Sequence, residues 1–295
     1  MAENKTTSKN APNEDGGAAG TDENQEWLEA ARRAAIAKLP MAEGNNIGKV
    51  IAVMSGKGGV GKSSVTALLA SYLSHQGAKV GVLDADVTGP SIPKLFGVHE
   101  MPTIGEGGKM VPPESGGGVK VMSLNLLLSD EEAPVIWRGP LVSGAIKQFW
   151  SEVLWGDLDY LIVDLPPGTG DAPLTVMQSL PLDGAVIVST PQKLAAMVVK
   201  KAVNAARMLD IPILGLVENM SYVQCPDTGK RLELFGPSNL KDLARELEAP
   251  ALGALPIDPA LAEAGDRGKI EEYQKPMVDE VFRGLTSSPA LVAKG

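Results

Sequence analysis

The chain has 295 residues, 44% of them hydrophobic, which is enough for one large α/β domain or two small ones with a substantial core. A formal net charge of −9 argues against a broad nucleic-acid-binding surface or adsorption to anionic lipid and leaves room only for a local basic patch. One cysteine, Cys225, excludes an intrachain disulfide. No apolar run approaches the ~18 residues of a membrane helix, and the polar N-terminus lacks a signal-like apolar segment. The expectation is a cytoplasmic protein without membrane or nucleic-acid partners.

In chain order, residues 1–23 are polar and small, with almost nothing to bury, and read as a disordered tail. Residues 24–44 read as a short helix and linker. Trp27, Leu28, Ala31, Ala35 and Leu39 share one helical face that ends at Pro40, and Gly44-Asn45-Asn46 follows. The helix could serve as a tether or as a docking element. Residues 45–288 form the predicted catalytic domain, and 289–295 a C-terminal tail.

Lys49–Met54 is a β-branched, apolar run of the kind buried in a parallel sheet. It leads into Gly56-Lys57-Gly58-Gly59-Val60-Gly61-Lys62-Ser63, a complete G-x-x-x-x-G-K-[ST] phosphate loop, followed by Ser64. Its glycines let successive N–H groups point at one phosphate chain. Lys62 supplies a mobile charge for the β- and γ-phosphates, and Ser63 offers a hydroxyl to Mg²⁺. After the loop, Val65, Leu68, Leu69, Tyr72 and Leu73 recur at helical spacing, which places the phosphates at a helix N-terminus. Lys57 is a second lysine in a loop that needs one, so it points to another target.

From here strands and helices alternate. Strands are predicted at 50–54, 79–84, 119–123, 159–164, 184–189, 212–217 and 251–254. Helices are predicted at 61–75, 139–153, 172–180, 193–208, 238–248 and 276–285, with 104–118 a Gly- and Pro-rich surface loop. The pattern implies an α/β P-loop fold, a mostly parallel sheet with helices on both faces.

Several strand ends carry chemistry. Asp84 and Asp86, two apart, point to the same side and could hold Mg²⁺ through water or orient an attacking water. An exposed acidic turn is the bland reading of the same pair. Trp137-Arg138-Gly139-Pro140 opens a helix, with Arg138 available to a phosphate, a carboxylate or a surface ion pair. Tyr160–Val163 ends in Asp164, the form of a Walker B strand. The loop Leu165–Asp171 mixes prolines and glycines and suits either two arrangements or a rigid connection. Asn219 carries both a donor and an acceptor that can read an adenine edge, or it simply forms a turn. Cys225 has no second cysteine, and neither His75 nor His99 lies near it in sequence, which argues against a zinc or iron–sulfur site within one chain.

These residues resemble a known family. Lys57–Ser63 is similar to the deviant Walker A loop of the MinD/ParA/nitrogenase iron-protein ATPases. With Asp84–Ser91, Trp137–Val142, Val163–Asp171, Glu218–Tyr222 and Asp258–Ile270, the chain resembles the Mrp/NBP-type iron–sulfur cluster carriers over roughly residues 45–285. The resemblance implies a homodimer around two ATP molecules in which Lys57 reaches the partner's phosphates. It implies that Lys62 and Ser63 hold phosphate and Mg²⁺, with Asp84 supporting the metal shell. Asp86 would sit near the attacking water, Asp164 in Walker B, and Asn219 at adenine. It also implies a [4Fe–4S] cluster bridging two C-x-x-C pairs and passed to apo iron–sulfur proteins or an assembly partner. Here the second position is Thr228, so a dimer offers two thiolates where four are expected, and Asp227 could substitute only in a distorted site. Two other readings remain. A MinD/ParA-like positioning ATPase is disfavoured by Lys275, Arg283 and Lys294 lying scattered near Pro289 rather than along a basic amphipathic helix. An ATP-gated adaptor that has lost cluster binding is the other.

Overall fold

The computed structural model describes residues 40–86, 89–127, 139–286, 288 and 291. The readings of the polar tail, of the helix before Pro40, of Trp137-Arg138 and of most of the C-terminal tail lie outside the described residues.

The strand β1 (Asn46–Ser55) leads through the glycine loop into α1 (Lys62–His75). Then come β2 (Val80–Asp84), the short α2 (Ile92–Phe96), the two-residue strands β3 (Thr103–Ile104) and β4 (Met110–Val111), and β5 (Lys120–Ser123). After α3 (Gly139–Ser151) the chain alternates regularly through β6 (Asp157–Asp164), α4 (Asp171–Ser179), β7 (Gly184–Ser189), α5 (Lys193–Met208) and β8 (Ile213–Glu218). A small ribbon, β9 (Val223–Gln224) and β10 (Arg231–Leu232), precedes α6 (Leu240–Glu246), β11 (Ala251–Ala254), α7 (Pro259–Asp266) and α8 (Pro276–Thr286).

Seven strands form one sheet in the order β11-β8-β7-β1-β6-β2-β5, every pair parallel. Alternation along β1 shows why helices must cover both faces. Val50, Ala52 and Met54 enter one core with Phe149 of α3, Val176 of α4, Val203 of α5 and Leu243 of α6. Ile51 and Val53 enter the other with Leu68 and Leu69 of α1, Phe96 of α2 and Phe282 of α8. All five of these β1 residues are buried, the pattern of a central strand in a doubly covered sheet.

The sequence expectation for the sheet and its main helices holds to within a few residues. The largest boundary difference is β1, which starts at Asn46 because its first residues pair with β6, Asn46 opposite Asp157. The 104–118 stretch is not wholly irregular. Thr103–Ile104 pairs antiparallel with Met110–Val111 in a ribbon too short to leave a periodic signal.

Candidate functional site

Because the sheet is parallel, the strand ends that carry polar residues all open on one edge. Register puts Asp84 beside Asp164, Asp164 beside Val53 of β1, and Ser189 beside Glu218. The phosphate loop leaves β1 in the middle of this row.

Two glycines are required by geometry. At Gly61 φ is +77°, and a Cβ would lie 2.2 Å from the Asn219 side-chain nitrogen. At Gly56 a Cβ would lie 2.4 Å from the Val198 carbonyl oxygen of α5, so the loop is pressed directly onto that helix. The loop is also braced from β8, since Asn219 Nδ2 donates to the Val60 carbonyl at 2.9 Å while its own N–H donates to Ser189 O.

Asp164 is fully buried and accepts from three side chains of the loop and first helical turn. Lys62 Nζ donates at 2.6 Å, Ser63 Oγ at 2.6 Å and Thr66 Oγ1 at 2.5 Å. Lys62 is also 3.6 Å from Asp86 Oδ2. Asp84 is buried behind them and accepts from the N–H groups of Asp86 and Ile92 and from Ser123 Oγ. Burial first, and the neighbouring Asp164 carboxylate second, push the Asp84 carboxyl up to about 8, against a smaller opposing pull from Lys62. Three carboxyl groups thus crowd one buried ammonium, and Asp84 holds its proton at neutral pH rather than add a third negative charge beside Asp164. Among the described residues no three His, Cys, Asp or Glu side chains converge as a complete ligand set.

Next to the loop lies a cleft of about 470 Å³, lined by Ser64, Ser91, Asn219, Met220, Pro256 and Ile257 among others. Its size and apolar walls suit a nucleotide base. The 255–258 segment is laced to β8 and its exit, with Leu255 N donating to Glu218 O and Ile257 N to Tyr222 O. Asp258 caps α7 by accepting from Ala260 N and also accepts from Tyr273 Oη at 2.7 Å.

The structure therefore gathers Gly56 to Ser64, Asp84, Asp86, Asp164 and Asn219 at one edge. Lys57 is there too, its Nζ donating to Gln192 Oε1 at 2.8 Å. Cys225 belongs to a different feature, the β9–β10 ribbon, where its N–H donates to Lys230 O and its carbonyl accepts from Gly229 N. The Thr228 hydroxyl, then the Thr228 and Asp227 backbone amides, hold the Cys225 thiol below its usual range. Arg231 stacks over the Tyr222 ring at 4.3 Å, and Leu232, Leu234 and Phe235 are exposed nearby.

Sequence reasoning missed Thr66, Gln192 and the Pro256–Ile257 wall of the cleft, and it took Asp258 only as the start of a family-like segment. Thr66 had a usable signal, since it stands one helical turn after Lys62 on a buried face. The other two are joined to the loop only through long-range packing.

The family model described as ParA, NUBPL iron-transfer P-loop NTPase matches residues 46–288. An iron-sulfur cluster carrier protein of Clostridium perfringens is 47% identical over 249 residues, covering 81% of this chain and 87% of that protein. The nucleotide-binding protein of Archaeoglobus fulgidus in complex with ADP superposes with a TM-score of 0.71 at 45% identity, covering 86% of this chain and 94% of that one. The cell division ATPase MinD of Pyrococcus furiosus shares the fold at 20% identity and a TM-score of 0.56, covering 81% of this chain and 99% of that one. With the loop, Asp84, Asp86, Asp164 and the cleft gathered at one edge, the chain belongs to the NUBPL-type iron-transfer family of ParA P-loop NTPases.

Proposed function

We propose that the protein is a homodimeric MgATP hydrolase that carries iron–sulfur clusters as cargo to apo proteins. The observation that carries the ATPase half is the convergence of Lys62, Ser63, Asp86 and Asp164 at the start of α1, whose next residue, Ser64, lines a base-sized cleft. Loop N–H groups and Lys62 would hold the β- and γ-phosphates, and Asn219 would meet the adenine edge while bracing Val60. Ser63, with Asp84 and Asp164 behind it, would hold Mg²⁺, which supplies neutralisation of phosphate charge. Asp86 orients a water for in-line attack on the γ-phosphorus. The bond from phosphorus to the β,γ-bridging oxygen breaks, giving ADP and inorganic phosphate. The partner's Lys57 adds the remaining positive charge.

The cargo half is supported by the names of the relatives and limited by the thiolates. A [4Fe–4S] cluster held by four cysteines does not fit one Cys225 per chain, nor two in a homodimer. Delivery by this protein therefore draws ligands from the recipient or from an assembly partner. Among the described residues no helix is long and apolar enough to cross a membrane, and a cytoplasmic setting suits the single thiol.

Two measurements test this reading. ATP hydrolysis per protomer should rise with protein concentration and fall at least tenfold in Lys57→Ala; an equal rate in the variant overturns the trans lysine. Anaerobic reconstitution together with an apo iron–sulfur recipient, followed by iron and sulfide counting on the complex, should show less iron with Cys225→Ala than with the parent. Equal iron in both would exclude Cys225 as a ligand.

A further inference from the structure

Lys57 is held at both ends. Its backbone carbonyl accepts from Ser55 Oγ at 2.9 Å, and its ammonium donates to Gln192 Oε1 at 2.8 Å. Gln192 stands immediately before α5, with φ −60° and ψ 131°, and its side chain makes no cap for that helix. The carboxamide is thus available to the loop. The two residues are brought together by the sheet, because Ser55 of β1 pairs with Val188 of β7. They are held at fixed separation by the contact of Gly56 with Val198 on α5. With both backbones fixed, the reach of Lys57 depends on its side chain alone.

We propose that Gln192 is the positioning residue for Lys57: it keeps the ammonium on its own protomer until a partner's nucleotide competes for it. This rests on the trans role of Lys57 given above. A neutral amide suits the task. It accepts one hydrogen bond without neutralising the ammonium, so a phosphate outcompetes it once within reach. A carboxylate at the same place would form an ion pair and hold the lysine back. Gln192 is exposed, so its substitution leaves the core intact.

The signs follow from that chemistry. Gln192→Ala should lower the protein concentration needed for half-maximal ATP hydrolysis by about threefold or more. Gln192→Glu should raise it by a similar factor or more. In a Lys57→Ala background both shifts should vanish. As an independent readout, the acetylation rate of Lys57 without nucleotide, followed by mass spectrometry, should rise in Gln192→Ala. Shifts in the same direction, shifts that persist without Lys57, or an unchanged acetylation rate would overturn the proposal. If Lys57→Ala alone matches the parent, the trans lysine itself fails. If Lys57→Ala is slow but the Gln192 variants match the parent, only the positioning role fails.

Discussion

The phosphate loop and the Cys225 ribbon both grow from strand ends of the same parallel sheet, yet they are built in opposite ways. The loop is gripped from β1, β6, the exit of β8 and α5, and its Lys62 and Ser63 join Thr66 in a network around Asp164. The ribbon has two residues per strand, an exposed apolar cluster at Leu232, Leu234 and Phe235, and one sulfur. The first region gathers its phosphate-loop and carboxylate side chains within one chain. The second presents one half-buried thiol beside an exposed apolar cluster.

The sharpest way to break the closed network is Lys62→Ala. It removes the ammonium shared by Asp164 and Asp86 and leaves three buried or nearly buried carboxylates facing one another. Breaking a buried pair from one side costs about 3–5 kcal/mol. The midpoint of thermal unfolding should therefore fall by roughly 10 °C, read by circular dichroism, for a domain of this size. ATP hydrolysis should fall at least a hundredfold. Loss of activity with an unchanged melting point would mean that Asp164 is not held by Lys62 as described.

The open region is sharpened by the reverse experiment, Thr228→Cys. It supplies the missing second thiol of a C-x-x-C pair in the turn between β9 and β10. It also removes the hydroxyl that most lowers the Cys225 thiol. Iron and sulfide retained after anaerobic reconstitution should rise several-fold, approaching one four-iron cluster per dimer. A variant no better loaded than the parent would mean that the turn, and not the ligand count, forbids the cluster.

The same contrast explains what the sequence revealed. The loop region was legible because it is local: a glycine motif, a buried strand before it and an amphipathic helix after it all agree within about thirty residues. The ends at Asp84 and Asp164 were legible because a carboxylate closing an apolar run is itself a pattern. Gln192 was not, because an exposed glutamine before a helix has no signature until β1 and β7 pair. The Pro256–Ile257 wall was hidden in the same way, since the bonds of Leu255 to Glu218 and of Ile257 to Tyr222 bring it to the cleft. The ribbon at 223–232 leaves no strand signal around Cys225, because two-residue strands carry no period.

The smallest effect is the most discriminating, because it has a sign that changes with pH. Asp84 takes its proton near 8 in the folded chain and near 3.8 when exposed. Between those values the folded state binds more protons than the unfolded one, so stability falls as pH rises through the window and levels off above it. A carboxamide cannot ionise, so Asp84→Asn should lack that fall. The substitution has its own cost, since an amide nitrogen replaces one oxygen that accepts from Ile92 N, Asp86 N or Ser123 Oγ; an unsatisfied buried donor costs about 1–3 kcal/mol. The two effects oppose each other. Below pH 5, in chelator and without nucleotide, the parent should melt a few degrees higher. Above pH 8, Asp84→Asn should melt higher, with the curves crossing between. Mg²⁺ with ATP should erase the variant's advantage, because only the carboxylate gains from a nearby cation. Melting curves that stay parallel across pH 5 to 9 would mean that Asp84 is ionised throughout, and that the network around Asp164 tolerates a third negative charge without a metal.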